Sequence, residues 1–186
     1  RGVEASRKHR FPVQAEPTVL MFSSSFTPPI SQDYNGCSAW LQQDLRWQRC
    51  SVKSISLMGN VLAYHQLWQN GVAQDEALLV RGDKVVEAPS SNLFAVIDGV
   101  IVTPPVDNIL NGVTRGLVIE QAKALGFEVR EQAPEIYDLT RATEIWVSNS
   151  YEELKPVVQL EGKPVGDGKP GPVWLQLFQS YQSLKA

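Results

Sequence analysis

The chain has 186 residues, a formal net charge of −3, and apolar and charged fractions of 43% and 20%. This suits one sizeable folded domain and argues against disorder, collagen-like repetition or a coiled coil. No run of about 18 apolar residues is present to span a membrane, weak acidity gives no global attraction for nucleic acid, and two cysteines and two histidines are too few for a disulfide framework or a metal cluster. A reducing, cytoplasmic setting is the natural expectation.

Residues 17–26 predict a strand, with Val19 and Met21 on one face and Leu20 and Phe22 on the other. Thr27-Pro28-Pro29 closes it, because proline lacks a ladder donor. The serine- and glutamine-flavoured stretch up to Cys50 gives no period from which to assign an element. Beyond Ser56, Leu57, Val61, Leu62, His65 and Trp68 recur at helical spacing, with Gly71 as a stop and His65 on a partly buried face. Short strands follow at 77–80 and 84–86. Residues 93–97 and 100–103 flank Asp98-Gly99, a hairpin signal because that turn favours positive φ. Val113, Leu117, Val118, Ala122 and Leu125 form a second helical stripe ending at Gly126. Strands are then predicted at 127–131, 144–148 and 156–160, with a turn at Glu161-Gly162. Pro172 opens the last helix, whose apolar face is Trp174, Leu177, Phe178, Tyr181 and Leu184.

Several residues carry candidate chemistry, each with a plainer competing explanation. Lys53 lies in a mixed apolar and small-residue setting before a helix, where a desolvated lysine can serve as a Schiff-base nucleophile. A surface lysine is the alternative. Glu87-Ala88-Pro89-Ser90-Ser91-Asn92 puts a carboxylate and several polar groups at a strand end, or is simply a polar turn. Asn111-Gly112-Val113-Thr114-Arg115 precedes a helix, so its free backbone N–H groups suit an anion, or an ordinary cap. Ser148-Asn149-Ser150 is a second polar strand end. Arg7 and His9 can bind a carboxylate together, or form a solvated basic turn. Neither a dinucleotide fingerprint, a Walker motif nor a nucleophile elbow is present.

Taken in order, these segments resemble fold-type IV pyridoxal-phosphate enzymes, the class IV aminotransferases. The resemblance rests on Arg49-Cys50-Ser51-Val52-Lys53-Ser54, Glu87 to Phe94, Thr103-Pro104-Pro105, Ile109 to Arg115, Ser148-Asn149-Ser150 and the Gly166 to Pro172 tail. It implies an α/β fold (α+β in some schemes), a pseudo-barrel of mixed strands surrounded by helices. It also implies that Lys53 carries the covalent link to pyridoxal 5′-phosphate and then shuttles the substrate proton. Glu87 corresponds to the carboxylate that pairs with the pyridine nitrogen. Val113 and Thr114 correspond to the phosphate cup, with Ser150 and Asn149 on its other side. Leu110 matches an apolar residue on the ring face, and Ser90 and Ser91 small polar residues near the cofactor. Arg46 and Arg49 are expected to assist near the lysine.

Arg7-Lys8-His9, followed by Phe11-Pro12, resembles the carboxylate trap of enzymes acting on D-amino acids. The implied reaction moves an amino group between a D-amino acid such as D-alanine and a 2-oxo acid. Aminodeoxychorismate lyase, branched-chain aminotransferase and a non-catalytic cofactor-binding protein are the alternatives. Met58, where branched-chain enzymes usually offer tyrosine, weakens that one. Residues 35–43 depart from the valine-rich strand usual before the Trp-Arg-Cys region. The resemblance further implies a homodimer, with residues 1–12 as an interdomain segment and 13–186 as the larger, cofactor-binding C-terminal domain. A smaller N-terminal α+β domain, absent here, would complete the site, so this chain alone is expected to be poorly active.

Overall fold

Residues 77–80, 93–97 and 145–147 are unbroken apolar runs, the pattern of strands covered on both faces. The computed structural model, which describes residues 16–27 and 34–185, bears this out. Its elements are β1 (Cys37–Gln43), α1 (Met58–Gln69), β2 (Glu76–Arg81), β3 (Lys84–Glu87), β4 (Asn92–Ile97), β5 (Val100–Thr103), α2 (Val113–Ala124), β6 (Val129–Glu131), α3 (Ile136–Thr140), β7 (Glu144–Asn149), β8 (Glu153–Leu160), β9 (Lys163–Pro164) and α4 (Pro172–Ser183). The strands run in the order β3-β2-β1-β8-β7-β4, and pairing of Glu87 with Asn92 joins β3 back to β4, giving the expected pseudo-barrel. β5 and β6 extend from β4, and β9 hangs on β8. Three pairs, β1–β2, β1–β8 and β5–β6, are parallel.

Alternation along β4 and β7 divides the core in two. Leu93, Ala95, Ile145 and Val147 join Leu78, Val80, Val85 and Val157 in the cluster enclosed by the strands. Phe94, Val96 and Trp146 point the other way, against Val118 and Ala122 of α2 and Trp174, Leu177 and Phe178 of α4. The Phe94 and Trp146 rings, opposite each other in the ladder, stack at 5.6 Å. Each such side chain contributes roughly 1.5–3 kcal/mol when buried, so these two clusters hold the fold. The carboxylate of Glu144, at the start of β7, accepts the backbone N–H of Val173 (2.9 Å) and Trp174 (2.7 Å), capping α4 from the sheet.

The hairpin at Asp98-Gly99 forms as predicted, with φ of 50° and 80°. Two expectations fail, and one stretch left unassigned proves to be a strand. Residues 17–26 form no strand, and Val19, Leu20, Met21 and Phe22 are exposed. The unassigned stretch contains β1, a central strand whose polar residues find partners: Trp40 Nε1 donates to Asp75 (2.7 Å), and Ser38 Oγ to Gln159 (3.1 Å). Helix α1 forms, but Leu57, Val61, Leu62, His65 and Trp68 are all exposed, and only Leu67 is buried. Periodicity identifies a stripe without saying what covers it. Val113, Leu125 and Leu184, at the ends of the other two stripes, are also exposed.

Candidate active site

Where β3 meets β4, the Ala88 N–H donates to the Ser91 carbonyl (2.8 Å) and closes a tight turn. That turn sets Glu87 beside Asn92, at one wall of a cleft of about 460 Å³. Lys53, Glu87, Ser91, Leu110, Val113, Thr114, Asn149 and Ser150 all line it. They arrive from four places: the loop before α1, the β3–β4 turn, the start of α2 and the end of β7. Arg7 and His9 lie outside the described residues.

Glu87 is buried at 3% exposure. Its Oε2 accepts the Leu110 N–H (3.2 Å), with Asn92 Nδ2 a more distant donor at 3.4 Å. Arg46 Nη2 stands 2.9 Å from Oε1, an ion pair by distance. Oε1 is buried against that guanidinium, which supplies its positive partner. Burial pushes the Glu87 carboxyl up from its ordinary pKa, and the Arg46 charge pulls it back only in part. Ser148 Oγ, also buried on the cleft wall, has no hydrogen-bond partner among the described residues.

Helix α2 begins at Gly112 without a side-chain cap. Its first-turn N–H groups, at Val113 and Thr114, therefore meet the cleft as donors, with the helix dipole favouring an anion. Gly112 must be glycine for room, because a Cβ there would lie 2.2 Å from Asn92 Oδ1. Asn92 in turn donates to the Leu110 carbonyl (2.8 Å), so the strand holds the loop that delivers the helix. Lys53 is exposed on its loop, with no hydrogen bond or ion pair among the described residues, leaving its amine free for the cleft.

Asn149 acts at one remove. Its amide donates to Ser91 Oγ (2.9 Å) and Glu152 (3.1 Å), and its Oδ1 accepts the N–H groups of Tyr151 and Glu152. It fixes Ser91 and the strand-end turn, while Ser150 is exposed at the rim. Ser90 belongs to a different chain of bonds, through the Tyr64 hydroxyl (2.9 Å) to Glu76 (2.8 Å). Of the two arginines expected near the lysine, Arg46 is built into the site, while Arg49 is exposed and unpaired among the described residues.

Sequence reasoning missed Asp44 and Asn92 as site residues. Asn92 was visible within its Ser-Ser-Asn triplet. Asp44-x-Arg46 was the other available signal, since two residues apart on extended chain share a side. Among the described residues no helix is long and apolar enough to cross a membrane, and no three His, Cys, Asp or Glu gather as metal ligands.

The sequence pattern of the amino-transferase class IV family matches residues 3–160. A D-alanine aminotransferase of Staphylococcus aureus (strain COL) is 40% identical over 185 residues, covering 98% of this chain and 64% of that protein. One from Listeria monocytogenes (strain 10403S) is 37% identical over 187 residues, covering 97% and 63%. This chain thus spans just under two thirds of the length of these curated relatives. Among solved structures, branched-chain amino acid aminotransferase from Thermobaculum terrenum, in PLP form (holo form), superposes with a TM-score of 0.77 at 25% identity over 84% of this chain and 53% of that one. The Escherichia coli enzyme of the same name gives 0.68 at 31% identity, over 80% and 52%.

Proposed function

Because the chain belongs to the class IV aminotransferase family, we propose that its cleft holds pyridoxal 5′-phosphate and serves amino transfer between a D-amino acid such as D-alanine and a 2-oxo acid. The observation that carries this reading is the meeting, in one cleft, of the free Lys53 amine, the buried Glu87 carboxylate and the uncapped start of α2. These groups fit the cofactor: an amine for its aldehyde, a carboxylate for its ring N–H and helix donors for its phosphate. Bound pyridoxal phosphate supplies an electron sink for the bond broken at the substrate Cα.

The chain's own residues do the rest. Lys53 Nζ would be the base that takes the proton from the substrate Cα and holds it for return. Glu87 keeps the ring nitrogen protonated, which favours electron withdrawal toward it. Val113 and Thr114 hold the phosphate with backbone N–H groups and the Thr114 hydroxyl, and Ser150 closes the cup from the β7 side. Leu110 packs on the ring, and Asn149 holds Ser91 in place. Arg7 and His9 take the substrate carboxylate.

The D-amino-acid assignment is supported by the relatives that match nearly all of this chain, which are D-alanine aminotransferases. We further assign a cytoplasmic setting and a homodimer; the exposed apolar stripe of α1, which suits a protein–protein interface, supports the homodimer. The test uses the full-length polypeptide that carries this sequence, loaded with pyridoxal 5′-phosphate. D-Alanine should bleach the long-wavelength cofactor band, and 2-oxoglutarate should restore it. Bleaching by L-leucine alone overturns the D-amino-acid reading, and failure to bind the cofactor overturns the whole proposal.

A further inference from the structure

Asp44 follows β1 and is tied to β2 by its own N–H, which donates to the Val80 carbonyl (2.8 Å). Its side chain is 0% exposed, yet it carries a charge shared by two arginines. Arg46 grips it through two parallel bonds, Nε to Oδ1 and Nη2 to Oδ2, both 2.9 Å, and the Arg46 N–H adds a third (3.0 Å). Arg81 Nε donates to Oδ2 at 2.8 Å. Burial alone would push the Asp44 carboxyl up, but its bonds and charge contacts with Arg46, helped by Arg81, hold it below the ordinary value.

The two arginines lead to different walls of the cleft. Arg46 faces Glu87, but its fork is already matched to Asp44, the geometry that makes arginine–carboxylate pairs strong. Nη2 carries a second N–H and lies 2.9 Å from Glu87 Oε1, so one guanidinium bridges the two carboxylates. Arg81 reaches the turn before Lys53: Nη1 donates to the Asn108 carbonyl (2.8 Å) and Nη2 lies 3.3 Å from Cys50 Sγ. Asn108 in turn accepts the Cys50 N–H (3.2 Å).

We infer that Asp44 is a positioning residue: by holding Arg46 it fixes the guanidinium that pairs with Glu87, and by holding Arg81 it sets the Lys53 loop against that carboxylate. Without Asp44, Arg46 loses the fork that orients it toward Glu87. The inference rests on the proposed cofactor reading, because Glu87 is taken to serve the cofactor ring.

The experiment is a double-mutant cycle on the full-length protein, read by pyridoxal 5′-phosphate affinity and by the pH at which the bound-cofactor absorbance band changes. Asp44→Asn is expected to weaken affinity about tenfold and move the band's pH midpoint, and to do much less once Arg46→Gln is already present. Additive effects, or a pH midpoint unmoved by Asp44→Asn, overturn the inference. Arg81→Gln, at a partly exposed position, keeps the test alive if Asp44→Asn does not fold. It is expected to weaken affinity about threefold, and unchanged affinity overturns the link to the lysine loop. A parent protein that binds no cofactor sinks the underlying reading, whereas normal binding by the parent and by Asp44→Asn alike sinks only the role of Asp44.

Discussion

The two sides of the cleft are built differently. The wall that carries Glu87, Ser91 and Asn92 is the closing seam of the pseudo-barrel, buried and bonded through β4 to β7. The side that carries Lys53 is an irregular loop, exposed and joined to the rest through the turn at Cys50. A site that holds one ligand by fixed polar contacts and also bonds to it reversibly needs both kinds of support. Fixed donors and charges work best on rigid elements, while an amine that must attach, detach and carry a proton needs freedom at its tip. The neighbouring helix α1 repeats the contrast. Its Asn60 and Tyr64 bond the wall at Pro89 and Ser90, while Leu62 and Trp68 face outward at 54% and 63% exposure.

If this division is right, substitutions on the loop side change chemistry and leave the fold alone, while those on the wall change both. Lys53→Ala carries the largest expected effect, a loss of at least ~10³-fold in D-alanine turnover together with the long-wavelength band. Its thermal midpoint should match the parent, since an exposed, unpaired side chain is lost; a drop of several degrees would break the contrast. Glu87→Gln removes the wall's charge and should slow turnover by about 10²-fold while phosphate attachment persists. Stopped-flow rates of the first half-reaction, compared with cofactor affinity, separate these two effects.

Gly112→Ala tests the seam where wall and helix meet. The new Cβ collides with Asn92 Oδ1, so cofactor affinity and stability should fall together, by about 1–3 kcal/mol of folding free energy in a urea titration. Glu76→Gln, behind the wall, has the smallest expected effect and the sharpest pH signature. Burial raises the Glu76 pKa above its ordinary value of 4.5, with partial relief from the Tyr64 hydroxyl and Lys155. A carboxylate so raised favours the folded state below the unfolded value, and that advantage is lost as pH rises through the folded one. Glutamine removes this loss, and its oxygen can still accept from Tyr64 and Ala77. The variant should therefore melt about 2–4 °C higher than the parent at pH 7, with the gap narrowing as pH falls toward 4.5. A gap that widens on acidification would reverse the assignment. Turnover should hold near the parent's, since Glu76 does not line the cleft.

Most strands and both ends of the Asp98-Gly99 hairpin were legible because β-branched runs and a positive-φ turn are local signals. β1 was not, since Ser38, Gln42 and Gln43 look like loop residues until parallel neighbours on both edges pair the backbone. Residues 17–26 erred the other way, because apolar side chains on both faces of an extended segment do not provide a sheet for it to join. Local setting marked Lys53, Glu87 and the Val113-Thr114 helix start as candidates, the family resemblance gave them roles, and the fold brought them to one cleft. Spacing could not distinguish Arg46 from Arg49, or show that the Asn149 amide is occupied by Ser91 and Glu152.

By itself, then, the sequence determined most element types, the apolar character of β4 and β7 and the chemical identity of the groups around the cleft. These follow from local propensity, hydrophobic period and the residue types that a given chemistry requires. Only the tertiary structure decided which polar atoms are paired with which. Asp44 holding Arg81, Asn92 holding the start of α2 and Arg46 pairing with Glu87 depend on contacts between strands and loops well apart in the chain, where partner geometry, and no local pattern, sets the outcome.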